Sequence, residues 1–150
     1  MKIGIIYKSV HHGNTKRIAE VIVNSLGGDL LDLKDIKADV VKDYDLIGFG
    51  SGIFYSKPHK DLMKFVEGLG NVEDKKAFVF STSGRDKLEF NSMLKEKLSG
   101  KGFEIIGEFS CKGFDTWGPF KLIGGLNKGK PDEEDFKSAE RFANSLKEKI

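Results

Sequence analysis

Short apolar runs alternate along this chain with segments whose apolar residues return at helical spacing, and that alternation limits the fold more than any other feature. The first run, Lys2-Ile3-Gly4-Ile5-Ile6-Tyr7, has little polar interruption, so it reads as a strand buried on both faces. After a loop ending in Gly13-Asn14-Thr15, Ile18, Ala19, Ile22, Val23 and Leu26 recur along a helix that Gly27-Gly28 stops. Further strands are predicted around Leu30 to Leu33, at Asp45 to Ser51, at Lys76 to Ser81 and at Phe103 to Phe109. A second helix is expected from about Lys57, with Pro58 near its first turn and Leu62, Phe65, Val66 and Leu69 inward; it ends at Gly70-Asn71. A third is expected near Glu89 to Leu98. The last opens at Asp132, whose side chain can cap the amides near Asp135, and it buries Phe136, Ala139, Phe142, Ala143 and Leu146. Strands and helices alternating at this pace imply an α/β fold, a parallel sheet covered on both sides.

Composition narrows the class. A chain of 150 residues can bury one substantial core, and a single domain over 1–150 is expected. With 39% hydrophobic and 32% charged residues, the chain falls in the ordinary soluble globular class. Its apolar runs are too short to span a bilayer and no cleavable leader is visible, so a cytoplasmic protein without a membrane partner is expected. A single cysteine, Cys111, excludes an internal disulfide and a thiolate cluster within one chain. The net charge of +2 comes from interspersed charges of both signs with no aromatic-interleaved basic stripe, which argues against nucleic acid.

In parallel sheets ligands collect beyond the carboxyl ends of the strands. The first loop there, Ser9-Val10-His11-His12-Gly13-Asn14-Thr15, offers hydroxyls, imidazoles and backbone amides at a helix N-terminus, which suits a phosphate. It lacks a Walker lysine and the three spaced glycines of a dinucleotide fingerprint, so a monophosphate is favoured. A plainer reading is that Ser9 and Thr15 satisfy local backbone groups and Gly13 makes a turn. Adjacent His11 and His12, with His59 the only other histidine, do not supply the convergent ligands of a metal site, and none is expected. The second loop, Gly50-Ser51-Gly52-Ile53-Phe54-Tyr55-Ser56, permits backbone contact and offers flat apolar area, unless its aromatics cover the second helix. The third, Ser81-Thr82-Ser83-Gly84-Arg85-Asp86, presents hydroxyls and amides. Cys111 to Phe120 is rich in aromatics and glycines without periodicity, and reads as an ordered functional loop or an interaction surface.

The loop Ser9 to Thr15 resembles the phosphate loop of flavodoxins, and the order and lengths of elements from Lys2 to the final helix are similar to the short-chain form. The resemblance implies a flavodoxin-like three-layer sandwich with a five-stranded parallel sheet of order 2-1-3-4-5 and flavin mononucleotide (FMN) as cofactor. It implies that Ser9, His11, Gly13, Asn14 and Thr15, with Val10 and His12 in the same loop, surround the phosphate. Ser51, Gly52, Ile53, Phe54 and Tyr55 would look over the flavin ring, with Gly52 similar to a peptide that reorients on reduction. Ser81, Thr82, Ser83, Gly84 and Arg85 would meet the ring's carbonyl edge or the ribityl chain. The third loop has no tyrosine to stack on the ring; Asp115 and Trp117 are the replacement candidates, and Trp117 would either cover the flavin or bury itself against the last helix or a second subunit.

Functionally, the resemblance implies a low-potential one-electron carrier, monomer or homodimer, between redox proteins such as a ferredoxin-like protein or a flavin-dependent reductase, with no side chain acting as acid or base. Two alternatives stand: an FMN-dependent two-electron reductase of a quinone or other small acceptor, and a cofactor-free interaction domain. Short length weighs against the first, and Gly13-Asn14-Thr15 with the two glycine-bearing loops against the second.

Overall fold

The computed structural model describes residues 1–10, 13–84, 87–113 and 129–150. The elements in chain order are β1 (Ile3–Lys8), α1 (Asn14–Leu26), β2 (Asp29–Asp32), β3 (Leu46–Phe54), β4 (Lys57–Pro58), α2 (Lys60–Glu67), β5 (Lys76–Ser83), α3 (Ser92–Gly100), β6 (Glu104–Lys112) and α4 (Glu133–Leu146). The main sheet has the order β2-β1-β3-β5-β6, all parallel, and the two-residue β4 pairs antiparallel with the end of β3. This is the expected flavodoxin-like order, with β5 and β6 as the fourth and fifth parallel strands.

Both faces of the central strands are dry. On β5, Phe78 and Phe80 point to the layer made by α1 and α4, where Ile5, Ile18, Ile22, Ala139, Ala143 and Leu146 join them. Ala77 and Val79 point the other way, to Phe49, Leu62, Val66, Leu94, Leu98 and Phe103 beneath α2 and α3. Phe78, Val79 and Phe80 are all fully buried, which is why the run shows no alternation of polar and apolar residues. Each buried phenylalanine ring contributes roughly 2–3 kcal/mol by removing apolar area from water. The rings of Phe78 and Phe80 lie across the positions where Gly48 and Gly50 of β3 carry no Cβ.

Helix α4 starts as its sequence predicts. Asp132 Oδ1 accepts from the Asp135 amide at 3.2 Å and Asp135 Oδ2 accepts from the Asp132 amide at 2.9 Å, a reciprocal capping box. Ala139, Ala143 and Leu146 are buried, while Phe136 and Phe142 are partly buried against the same core.

Several boundaries differ from expectation. The helix expected from Lys57 begins at Lys60, because Tyr55 and Ser56 adopt left-handed conformations (φ 53° and 64°) and turn the chain back, so Lys57-Pro58 forms β4. Pro58 sits there without cost, since it closes a short outer strand that needs no further amide. β3 runs on to Phe54 and β6 to Lys112, which puts buried Cys111 inside a strand rather than a loop. Leu33, expected in the second strand, opens a 3-10 turn capped by Asp32, whose Oδ1 accepts from the Lys34 amide at 3.1 Å. The third helix is preceded by a 3-10 turn at Leu88–Asn91.

Replacing Gly50 with alanine puts a methyl group into the ring of Phe80, in a layer with no room to yield. Gly50→Ala is expected to lower unfolding free energy by about 2 kcal/mol or more, read as a lower urea midpoint at unchanged slope.

Candidate functional site

Four chain segments meet at the carboxyl end of the sheet: the start of α1 and the ends of β3, β5 and β6. Thr15 Oγ1, in the first turn of α1, lies 2.9 Å from Thr82 Oγ1 near the end of β5, and both residues are buried. This bond joins elements on either side of β3, whose Gly52 is in register with Thr82. The Gly113 amide donates to the Ser83 carbonyl at 3.0 Å, and Gly113 lies against the Asn14 side chain. Asn14, Thr15, Gly52, Thr82, Ser83 and Gly113 therefore border one small region.

The first turn of α1 has a particular electrostatic character. Its N-cap is Gly13, in a left-handed conformation (φ 66°, ψ 25°) with no side-chain cap. The nearest substitute is Ser9 Oγ, which accepts from the Lys16 amide at a long 3.4 Å. By contrast α2 and α4 are capped by side chains. Amides at a helix N-terminus bring partial positive charge to the sheet edge, and the space where a Gly13 side chain would stand is open. Residues 9, 10, 13–17 and 81–84 include no acid, while Lys16 and Arg17 are exposed. Ser81 Oγ, below Thr82, is buried without a hydrogen-bond partner. This donor set fits a phosphate-bearing, hydrogen-bonding ligand.

The expected ring loop is ordered as a hairpin. Ser51 is buried at the end of the main sheet, and its Oγ donates to the Gly52 carbonyl at 2.7 Å and accepts from the His59 amide at 3.0 Å. Ile53 pairs with Pro58. Phe54 is half-buried with its ring edge-on to His59 at 5.3 Å, and Tyr55 at the hairpin tip is 81% exposed. Gly84 is half-buried beyond β5, and Val10 is exposed beyond β1. His11, His12, Arg85, Asp115 and Trp117 lie outside the described residues.

Two residues escaped the sequence reading. His59 caps α2: its Nδ1 accepts from the Asp61 amide at 2.9 Å, which requires a neutral ring protonated at Nε2. Burial holds its pKa below the ordinary 6.5; Asp61 opposes that effect, and Lys8 and Lys60 reinforce it. Its place one residue before the α2 pattern was the available signal. Tyr7, near the end of β1, donates to Asp32 Oδ2 at 3.2 Å; burial, followed by Asp32, pushes its pKa up to about 12 and keeps it a neutral donor. No local signal marks that pair.

The sequence model for the flavodoxin domain matches residues 4–111. The chain belongs to the flavodoxin family. It is 49% identical over 148 residues to an uncharacterized protein of Methanocaldococcus jannaschii, covering 97% of this chain and 98% of the other. Flavodoxin 2 from Bacillus cereus superimposes with a TM-score of 0.77 over 100% of both chains at 23% identity. A Fusobacterium nucleatum flavodoxin, solved bound to flavin mononucleotide, superimposes with a TM-score of 0.69 over 100% of this chain and 99% of the other at 13% identity. In a parallel sheet the loops at the carboxyl edge are the natural place for a ligand, and the second of them is a hairpin here. Among the described residues, no helix is long and apolar enough to cross a membrane.

Folded His59 binds its proton more weakly than unfolded histidine does, so acid favours the unfolded chain. Stability is expected to be insensitive to this group above about pH 7 and to fall as pH drops through about 6.5; His59→Asn, which retains a cap acceptor, should flatten that slope in urea titrations at stepped pH. Ser56→Gly relieves a left-handed non-glycine residue and should raise stability by roughly 1 kcal/mol, read as a higher urea midpoint.

Proposed function

We propose that this flavodoxin binds FMN at the carboxyl edge of its sheet and passes electrons singly between redox proteins. The observation that carries the reading is the start of α1 at a left-handed glycine, acid-free among the described residues and tied by the Thr15–Thr82 bond to the end of β5. Bound FMN would supply the electron chemistry; the chain's own residues hold and orient it.

The amides opening α1, together with Ser9 and Thr15, would hold the phosphate, and the open space at Gly13 admits it without displacing a side chain. Thr82, Ser83 and Gly84 would serve the ribityl chain or the polar edge of the ring, and Gly52 would approach the ring through its backbone. Tyr7 and His59 are both neutral at pH 7 and engaged in structural hydrogen bonds, Tyr7 to Asp32 and His59 to the Asp61 amide. The Tyr7 proton is committed to Asp32 and its pKa is pushed up to about 12, which supports the carrier over a quinone reductase. The partners follow as redox proteins.

Anaerobic reductive titration of the FMN-loaded protein tests this reading. Two separated one-electron steps, with an electron spin resonance signal between them, support the carrier. A single two-electron step moves the assignment to a reductase, and failure to quench FMN fluorescence on mixing removes both. Gly13→Val should weaken FMN binding by at least about tenfold, through a side chain placed where the phosphate belongs and a disfavoured φ.

A further inference from the structure

Among the described residues, two buried side-chain polar atoms lack a hydrogen-bond partner: Ser81 Oγ and Asn91 Oδ1. Both residues are almost wholly enclosed, Ser81 at 2% and Asn91 at 1% exposure. They also share a layer. On β5, Phe80 faces α1 and α4 while Val79 faces α2 and α3, so strand alternation turns Ser81 toward α2 and α3, away from the Thr15–Thr82 bond. Asn91 ends the 3-10 turn that leads into α3, and that turn packs against both β5 and β6. Its Nδ2 donates to the Phe109 carbonyl at 3.4 Å. Phe109 is the register partner of Phe80, and Ser110 that of Ser81, so the Asn91 side chain reaches the sheet beside Ser81.

The surrounding fold explains neither atom. Asn91 is the N-cap residue of α3, where asparagine ordinarily turns its oxygen to the first helical amides, yet its side chain makes no such bond. The Phe109 carbonyl can only accept, so the group facing it is Nδ2, and Oδ1 points elsewhere in the interior. On the sheet, Ser51 and Ser110 flank Ser81 in register, and the three serines form a row across β3, β5 and β6. Ser51 is committed to the Gly52 carbonyl and the His59 amide. A buried acceptor and a buried hydroxyl left dry are costly, and folded chains meet that cost by enclosing water.

We propose that Ser81 and Asn91 hold one internal water molecule between the end of β5 and the start of α3. The water donates to Asn91 Oδ1, which can only accept, and makes a second bond with Ser81 Oγ, which can donate or accept. The serine row gives the surroundings the polarity that keeps such a molecule in place. Its role is to seat the 3-10 turn, and α3 after it, on the sheet through a link that neither side chain completes alone. This site is separate from the carboxyl-edge site and does not depend on the carrier reading.

Oxygen-17 magnetic relaxation dispersion, which counts water molecules held inside a protein for longer than its tumbling time, tests this on the full chain in excess FMN. The amplitude is expected to fall by about one water in Asn91→Leu, which fills the space and removes the acceptor, and likewise in Ser81→Ala. The unaltered chain should also show a nuclear Overhauser effect from water to the Asn91 Nδ2 protons. Urea titrations give the second readout: each substitution lowers the folding constant by about tenfold, and the double variant loses well short of about a hundredfold, because both break one bridge. Unchanged amplitude in both variants overturns the proposal, as do losses that simply multiply. So does a crystal structure with Asn91 Oδ1 bonded to an amide of α3 or directly to Ser81, and so does xenon binding in this layer, the mark of a dry cavity. Ser81→Ala removes only a hydroxyl, so it reports on the water even where Asn91→Leu fails to fold.

Discussion

The rings of Phe78 and Phe80 occupy the space that Gly48 and Gly50 leave open on the neighbouring strand, and much of the molecule depends on that fit. It places large apolar volume at the middle of the sheet without pushing α1 and α4 outward. Phe142 of α4 can then meet Phe78 edge-on at 5.7 Å, and Ala139 and Ala143 let the helix backbone come close. With the central strands held side by side, the start of α1 comes within hydrogen-bond reach of β5 across β3.

The electrostatics of the helix starts follow from the same arrangement. α2 and α4 receive side-chain acceptors, a neutral histidine and a pair of aspartates respectively, and their first amides are satisfied within the chain. α1 starts at a left-handed glycine that has nothing to offer. α3 also lacks a side-chain cap, but a 3-10 turn leads into it; of the two helix starts without one, that of α1 lies beside the end of β5 and is the place for an anion.

Much of this was legible in the sequence, for physical reasons that differ by element. Strands buried on both faces are continuous apolar runs, so β1, β3 and β5 were visible at once, and the capping box of α4 is a local pattern that Asp132 and Asp135 spell out. The hairpin was hidden because its turn uses Tyr55 and Ser56 where glycine or asparagine would have announced it, and because Pro58 after a lysine reads equally well as the first turn of a helix. The extension of β6 was hidden because Ser110-Cys111-Lys112 is not an apolar run, although backbone pairing with β5 sustains it to the end. The loops of the candidate site are singled out by their residue types. The bond between Thr15 and Thr82 was not, since a contact between residues 67 apart has no local trace.

That bond has a further property. Either threonine can donate, because each hydroxyl carries one proton and two acceptor lone pairs. The pair is thus a small dipole whose direction reverses by two hydroxyl rotations, with every heavy atom left in place. The link between α1 and β5 can reorient its polarity when charge beside it changes, and the sheet edge can absorb that change without mechanical rearrangement.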